Sequence, residues 1–272
     1  MNHVKTSPQA HRLRLTTGIT VSYIEQGDPA GLPVLLLHGI TDSWHSFESV
    51  LPLLPASWRV LAISQRGHGD SDRPADNYRP LDFAADAAAF LDAKGVSSAI
   101  VVGHSMGSHN AQRFAIDYPQ RTRALVLIGA FCTLHDSPAG DEFWSMAQGL
   151  TDPLERDLVY EFQKGTVARP VPDAFMNTIV SESMKVPARV WKASLTGLRA
   201  SNLMAELARV NAPTLIVWGD QDSMVAHRDT ERLLNGIRGA KLLTYEGTGH
   251  TPHWEEPERF VADLKAFVQK LA

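Results

Sequence analysis

Ser105 sits between two glycines in the stretch VVGHSMGSHNAQRF (residues 101–114), directly after a β-branched run and directly before a helical pattern. A serine hydroxyl is a poor nucleophile near neutral pH, so a serine that attacks a carbonyl needs a base, and the base needs a carboxylate to orient it. Both residue types follow later in the chain, each just after an apolar run. Trp218-Gly219-Asp220-Gln221-Asp222 holds two candidate carboxylates, and Gly247-Thr248-Gly249-His250 holds a candidate base. The order Ser, Asp, His, with each residue at the end of a strand, fits acyl transfer through a covalent intermediate. Gly103 and Gly107 are expected because the turn from strand to helix is too tight for side chains to pass, and Ser105 itself is expected in a strained conformation. The helix that follows points its first N–H groups at developing negative charge.

Such a constellation needs a frame that brings distant segments to one edge. Short apolar runs recur at residues 33–37 (PVLLL), 59–64 (RVLAIS), 98–102 (SAIVV), 124–128 (ALVLI), 213–218 (PTLIVW) and 240–245 (AKLLTY). Continuous apolar runs of this length read as strands covered on both faces. Helical patterns lie between them at 80–94, 106–118, 226–234 and 257–271, which implies a doubly wound, mostly parallel sheet. Residues 12–16 and 19–24 alternate more and flank Gly18, which suits an antiparallel hairpin at one sheet edge and brings the count to eight strands. From about 133 to 210 the alternation stops. Four amphipathic helical stretches, 141–149, 153–165, 172–184 and 187–198, are punctuated by prolines and read as a helical cap inserted into a core made of 1–132 and 211–272.

Composition narrows the partners. The 272 residues carry a net charge of −4 and are 44% hydrophobic, which describes a globular chain without the basic footprint that nucleic acid or an anionic membrane surface requires. A small-molecule substrate is therefore expected, with the chain a monomer or homodimer. No apolar run reaches the length of a membrane span, and MNHVKTSPQAHRL lacks the apolar core of a signal peptide, so a cytoplasmic location is expected. The single cysteine, Cys132, reads as a small buried apolar residue. Eleven histidines form no metal-binding spacing, and neither a metal nor a cofactor is expected.

Together, LLLHGI (35–40), QRGHGDSDRP (65–74), GHSMG (103–107), WGDQD (218–222) and GTGHTPHWEEPERF (247–260) make the chain resemble an α/β hydrolase over essentially its full length. The resemblance implies that Asp222, the second acid of its turn, orients His250, while Asp220 tethers the loop. It also implies an oxyanion hole made of the backbone N–H groups of Ile40 and Met106. His38 and His68 belong to turn motifs and are expected to bond backbone groups; His104 and His109 are expected to pack the junction of strand and helix. Arg66 is expected to brace its loop, but the acid that often stands two residues before it is here Ser64. Ser105 argues against haloalkane dehalogenases and epoxide hydrolases, which attack with a carboxylate at this position. Esterase or lactonase activity is the simplest reading; carbon–carbon bond hydrolases and haloperoxidase-like perhydrolases share the serine, and some receptors on this fold retain the triad. Phe143, Trp144, Met146, Phe175 and Trp191 in the cap are the expected walls of an apolar substrate pocket.

Overall fold

The computed structural model describes residues 9–271. Met1 to Pro8, on which part of the signal-peptide reading rests, lie outside the described residues. Eight strands form one sheet: β1 (His11–Arg14), β2 (Thr20–Gly27), β3 (Leu32–Leu37), β4 (Trp58–Ile63), β5 (Ala99–His104), β6 (Thr122–Ile128), β7 (Thr214–Gly219) and β8 (Lys241–Tyr245). Their order is β1-β2-β4-β3-β5-β6-β7-β8. β1 and β2 form the antiparallel edge, β2 also pairs antiparallel with β4, and every later pairing is parallel.

The apolar runs explain this frame. Alternate residues of a strand point to opposite faces, so Leu35 and Leu37 of β3 enter one core layer and Val34 and Leu36 the other. The first layer is closed by α1 (Pro80–Ala93), α2 (Met106–Asp117) and α7 (His227–Gly236), through residues such as Phe90, Phe114 and Leu233. The second is closed by α8 (Pro257–Gln269) through Phe260, Leu264 and Phe267, and by short 3-10 turns after β3 that bury Trp44 and Phe47. A sheet covered on both faces needs no alternating pattern, which is why its strands read as solid apolar runs.

Between β6 and β7 lie four helices, α3 (Pro138–Gln148), α4 (Arg156–Lys164), α5 (Asp173–Met184) and α6 (Ala188–Arg199). Their buried residues form a third apolar cluster with Ile40, Met106 and Trp218, residues at the carboxyl ends of strands or just beyond them. This segment therefore covers the sheet edge where the candidate chemistry lies.

Arg66 finds its acid elsewhere than two residues upstream. Its Nε and Nη2 donate to the Asp86 carboxylate of α1 at 2.6 and 2.7 Å, and its Nη1 donates to the Asn77 carbonyl at 2.6 Å. Both side chains are almost fully buried, at 6% and 3% exposure. Ser64 does other work, accepting the Trp44 N–H at 3.2 Å. Removing one member of a buried ion pair strands the other charge in a medium that cannot solvate it, so Asp86→Ala is expected to cost about 3–5 kcal/mol. Urea unfolding of the two proteins measures this, and a loss within error of zero would show that water replaces the carboxylate.

Candidate active site

β5 ends in His104, Ser105 follows, and α2 begins at Met106. Ser105 has φ 51° and ψ −117°, a left-handed conformation that non-glycine residues rarely adopt. The backbone leaves no choice about the flanking glycines. A Cβ on Gly103 would lie 2.3 Å from the Gly107 carbonyl oxygen, and one on Gly107 would lie 2.2 Å from the Leu37 carbonyl oxygen. The turn is held by its main chain: Ser105 N–H donates to the Ile128 carbonyl at 2.9 Å, and the Ser105 carbonyl accepts from the Ser108 N–H at 2.9 Å and the Ser108 hydroxyl at 2.6 Å. The Ser108 side chain thus adds a bond to the elbow.

The loops after β7 and β8 bring Asp222 to His250. His250 Nδ1–H donates to Asp222 Oδ2 at 2.9 Å, while Asp222 Oδ1 accepts the N–H groups of Met224 at 2.8 Å and Val225 at 2.9 Å. Both side chains are buried. Because a carboxylate only accepts, the proton sits on Nδ1 and the Nε2 lone pair is left for the cavity that His250 shares with Ser105. Asp220 does not reach the imidazole; its Oδ1 accepts the Gly247 N–H at 2.6 Å and pins the loop that carries His250. Among the described residues no side chain hydrogen-bonds the Ser105 hydroxyl, an open geometry common before substrate binds.

Ile40 follows His38-Gly39 at the end of β3 and lines the same cavity. Met106 is the first residue of α2, so its N–H has no partner within the helix. Its side chain is fully buried and packs into the apolar cluster under the cap. His38 bonds backbone: Nδ1–H donates to the Gly39 carbonyl at 2.7 Å and Nε2 accepts the Gln65 N–H at 2.8 Å. His68 Nδ1–H donates to the Arg66 carbonyl at 2.8 Å.

The cavity over Ser105 corrects the expected walls. Of the five cap residues, Phe143 alone lines it, in company with Ile40, Phe131, Leu134, Phe162, Leu198 and Met224. Trp144 turns away to stack under the Arg199 guanidinium, 5.3 Å from its ring centre. Trp191 is fully buried behind the cavity, packed against Phe162 with ring centres 5.2 Å apart, and Phe175 packs edge-on against Trp254 at 5.5 Å. Met146 does not reach the cavity but lines a second pocket farther out, which shares Phe143, Phe162 and Met224 with it. The reason is helical: successive side chains point about 100° apart, so Phe143 and Trp144 cannot face the same space.

Asp42, Gln163 and Thr166 in the wall were not singled out by sequence, and His104 was expected only to pack. Asp42 is buried two residues beyond Ile40; its Oδ1 accepts from Gln163 Nε2 at 3.1 Å and its Oδ2 from the Ser46 hydroxyl at 3.3 Å. His104, expected to pack, also lines the cavity, and its Nε2–H donates to the His250 carbonyl at 3.2 Å, so it positions the backbone of the candidate base. Burial, with His253 and His250 nearby, holds the His104 imidazole well below its usual range. Only its place directly before Ser105 could have signalled it; Asp42 and Gln163 gave no signal, because their meeting depends on how α4 docks. His109 keeps its packing role, with Nδ1–H donating to the Phe131 carbonyl at 3.3 Å.

Burial pushes the Asp42 carboxyl up to about 7. The unfolded chain ionises it near the ordinary carboxylate value of about 4, so the folded state holds the proton more tightly. The stability this contributes is present below about pH 4 and is lost as pH rises through about 7. Asp42→Asn stays neutral at every pH and is expected to lose less stability than the parent between about pH 4 and about pH 8. Urea unfolding at the two pH values measures the difference, and equal losses would mean that Asp42 is ionised throughout.

Comparison with known proteins bears on the fold and family of the chain. A family model described as the alpha/beta hydrolase fold matches residues 33–198. The chain belongs to the α/β-hydrolase fold family. This α/β hydrolase is 28% identical over 246 residues to a pimeloyl-[acyl-carrier protein] methyl ester esterase of Neisseria meningitidis serogroup B / serotype 15, covering 87% of this chain and 92% of that one. It is 26% identical to a 2-hydroxymuconate semialdehyde hydrolase of Pseudomonas sp. (strain CF600), over 98% of this chain and 97% of that protein. The structure of esterase RhEst1 from Rhodococcus sp. ECU1013 superimposes with a TM-score of 0.87 at 26% identity, over 97% of this chain and 99% of that one. Among the described residues no helix is long and apolar enough to cross a membrane.

Proposed function

We propose that this α/β hydrolase cleaves a carboxylic ester or lactone of a small, mostly apolar substrate through an acyl-enzyme. The observation that carries the reading is the 2.9 Å bond from His250 Nδ1–H to Asp222 Oδ2, with Nε2 facing the cavity that the strained Ser105 enters. His250 Nε2 takes the Ser105 proton as Oγ attacks the carbonyl carbon. Asp222 holds the imidazole in that tautomer and stabilises the imidazolium that results. The N–H groups of Ile40 and Met106 receive the oxyanion. Collapse of the tetrahedral species expels the alcohol, which takes the proton from His250, and a water deprotonated by the same Nε2 then releases the acid.

Carbon–carbon bond cleavage is the alternative drawn from relatives such as the 2-hydroxymuconate semialdehyde hydrolase, whose substrate is a carboxylate by name. The lining favours the ester. Among the described residues around the cavity no Arg or Lys is present to meet a carboxylate, and Asp42 adds an acid instead. Burying an unpaired anion there is costly.

Mixing the protein with 4-nitrophenyl acetate is expected to give a burst of nitrophenol, with an acetyl group trapped on the peptide that carries Ser105 after acid quench. Steady release of nitrophenol with no adduct on Ser105 in a single-turnover quench would count against the acyl-enzyme route.

A further inference from the structure

The cavity over Ser105 is small, about 50 Å³, below the several hundred Å³ usual for a ligand site. A second pocket of about 440 Å³ adjoins it and opens to solvent between α3, α4 and the loop after β7. The two share three wall residues, Phe143, Phe162 and Met224. Phe143 and Phe162 stack face to face with ring centres 4.9 Å apart. Beyond this neck the outer walls are Ala139, Met146 and Leu158, which are apolar, with Gly165 and Ser223, whose hydroxyl donates to the Gly165 carbonyl at 3.0 Å. Its charged members are Glu142 and Glu161, both exposed and neither in an ion pair among the described residues.

We propose that the outer pocket is a second substrate subsite, which takes the distal arm of an uncharged, apolar ester whose carbonyl lies in the inner cavity, with Phe143, Phe162 and Met224 as the neck between them. This rests on the ester reading above. The inner cavity accepts a short group and little more, so a longer substrate must continue somewhere, and the outer pocket is contiguous with it through side chains without charge. Apolar walls reward each buried methylene. The two carboxylates disfavour a negative charge at the far end of the arm, and their influence is screened by salt because both are exposed.

The test compares 4-nitrophenyl acetate, octanoate and hydrogen suberate for the acyl arm, and methyl and octyl acetate for the alcohol arm. The arm that occupies the pocket is the one whose lengthening raises kcat/KM. Met146→Trp fills the outer pocket and is expected to lower the long-to-short ratio of that series by about tenfold, as the loss of one or two methylene contacts would. Glu142→Gln with Glu161→Gln alters only the rim and is expected to raise the ratio of suberate to octanoate by about two- to fivefold, the scale of exposed charge interactions. High salt should produce the same rise in the parent protein. Long-to-short ratios unchanged by Met146→Trp in a folded protein, with a suberate ratio unmoved by the Gln pair, overturn the subsite. If the parent hydrolyses acetate normally, only the subsite falls; if it hydrolyses none of the esters, the ester reading falls and the subsite with it.

Discussion

Ser105→Ala is expected to lower kcat on an aryl ester by about a millionfold, to the level that binding and oxyanion contacts alone sustain. The elbow makes this a clean experiment. Ser105 is held through its main chain, by Ile128 from one side and by Ser108 from the other, and among the described residues its hydroxyl bonds no side chain. Alanine meets the same φ of 51° with the same Cβ, so the melting temperature is expected to stay close to that of the parent. Nucleophile and base act as one unit, so Ser105→Ala combined with His250→Ala should be little slower than either alone. Steady-state rates on scrupulously purified protein, beside thermal melts, decide it. A Ser105→Ala protein retaining a tenth of the parent rate would remove Ser105 from the chemistry and send the search for a nucleophile elsewhere in the cavity.

The parts of this molecule that were legible before folding are those whose physics is local or repetitive. Strands buried on both faces announce themselves as apolar runs, and β3 through β8 fall within two residues of where those runs predict. The elbow is legible because Gly103 and Gly107 are imposed by contacts only two to three ångströms long, which tolerate no other residue type. The cap helices were legible as helices, from proline punctuation and amphipathic period, but their facing was not. Phe143, Trp144 and Trp191 are equally apolar in sequence, and only docking assigns one to the cavity, one to the Arg199 guanidinium and one to the interior. Partners separated along the chain were hidden for the same reason. Nothing in the neighbourhood of Arg66 points to Asp86, nor in that of Asp42 to Gln163, 121 residues away.

The choice between the two acids of the Gly219-to-Asp222 turn can be made by one proton. Asp222 Oδ1 is pinned by the N–H groups of Met224 and Val225, which only donate. In Asp222→Asn the amide oxygen must stay on those donors, so the amide N–H₂ faces His250 Nδ1 and turns it from donor to acceptor. The imidazole proton then moves to Nε2, where it points at the cavity and cannot take a proton from Ser105. Loss of the wrong-tautomer kind lowers kcat by about 10⁴ in the serine-protease case, and a fall of that order is expected here with little change in melting temperature. Asp220→Asn behaves differently, because its oxygen can still accept the Gly247 N–H and hold the loop. A much smaller fall is expected for it. Rates and melts of the two variants side by side separate the roles: if Asp220→Asn were the slower enzyme at equal stability, the bond between Asp222 and His250 would be a structural tie, and the orienting acid would have to be Asp220 after a movement of its loop.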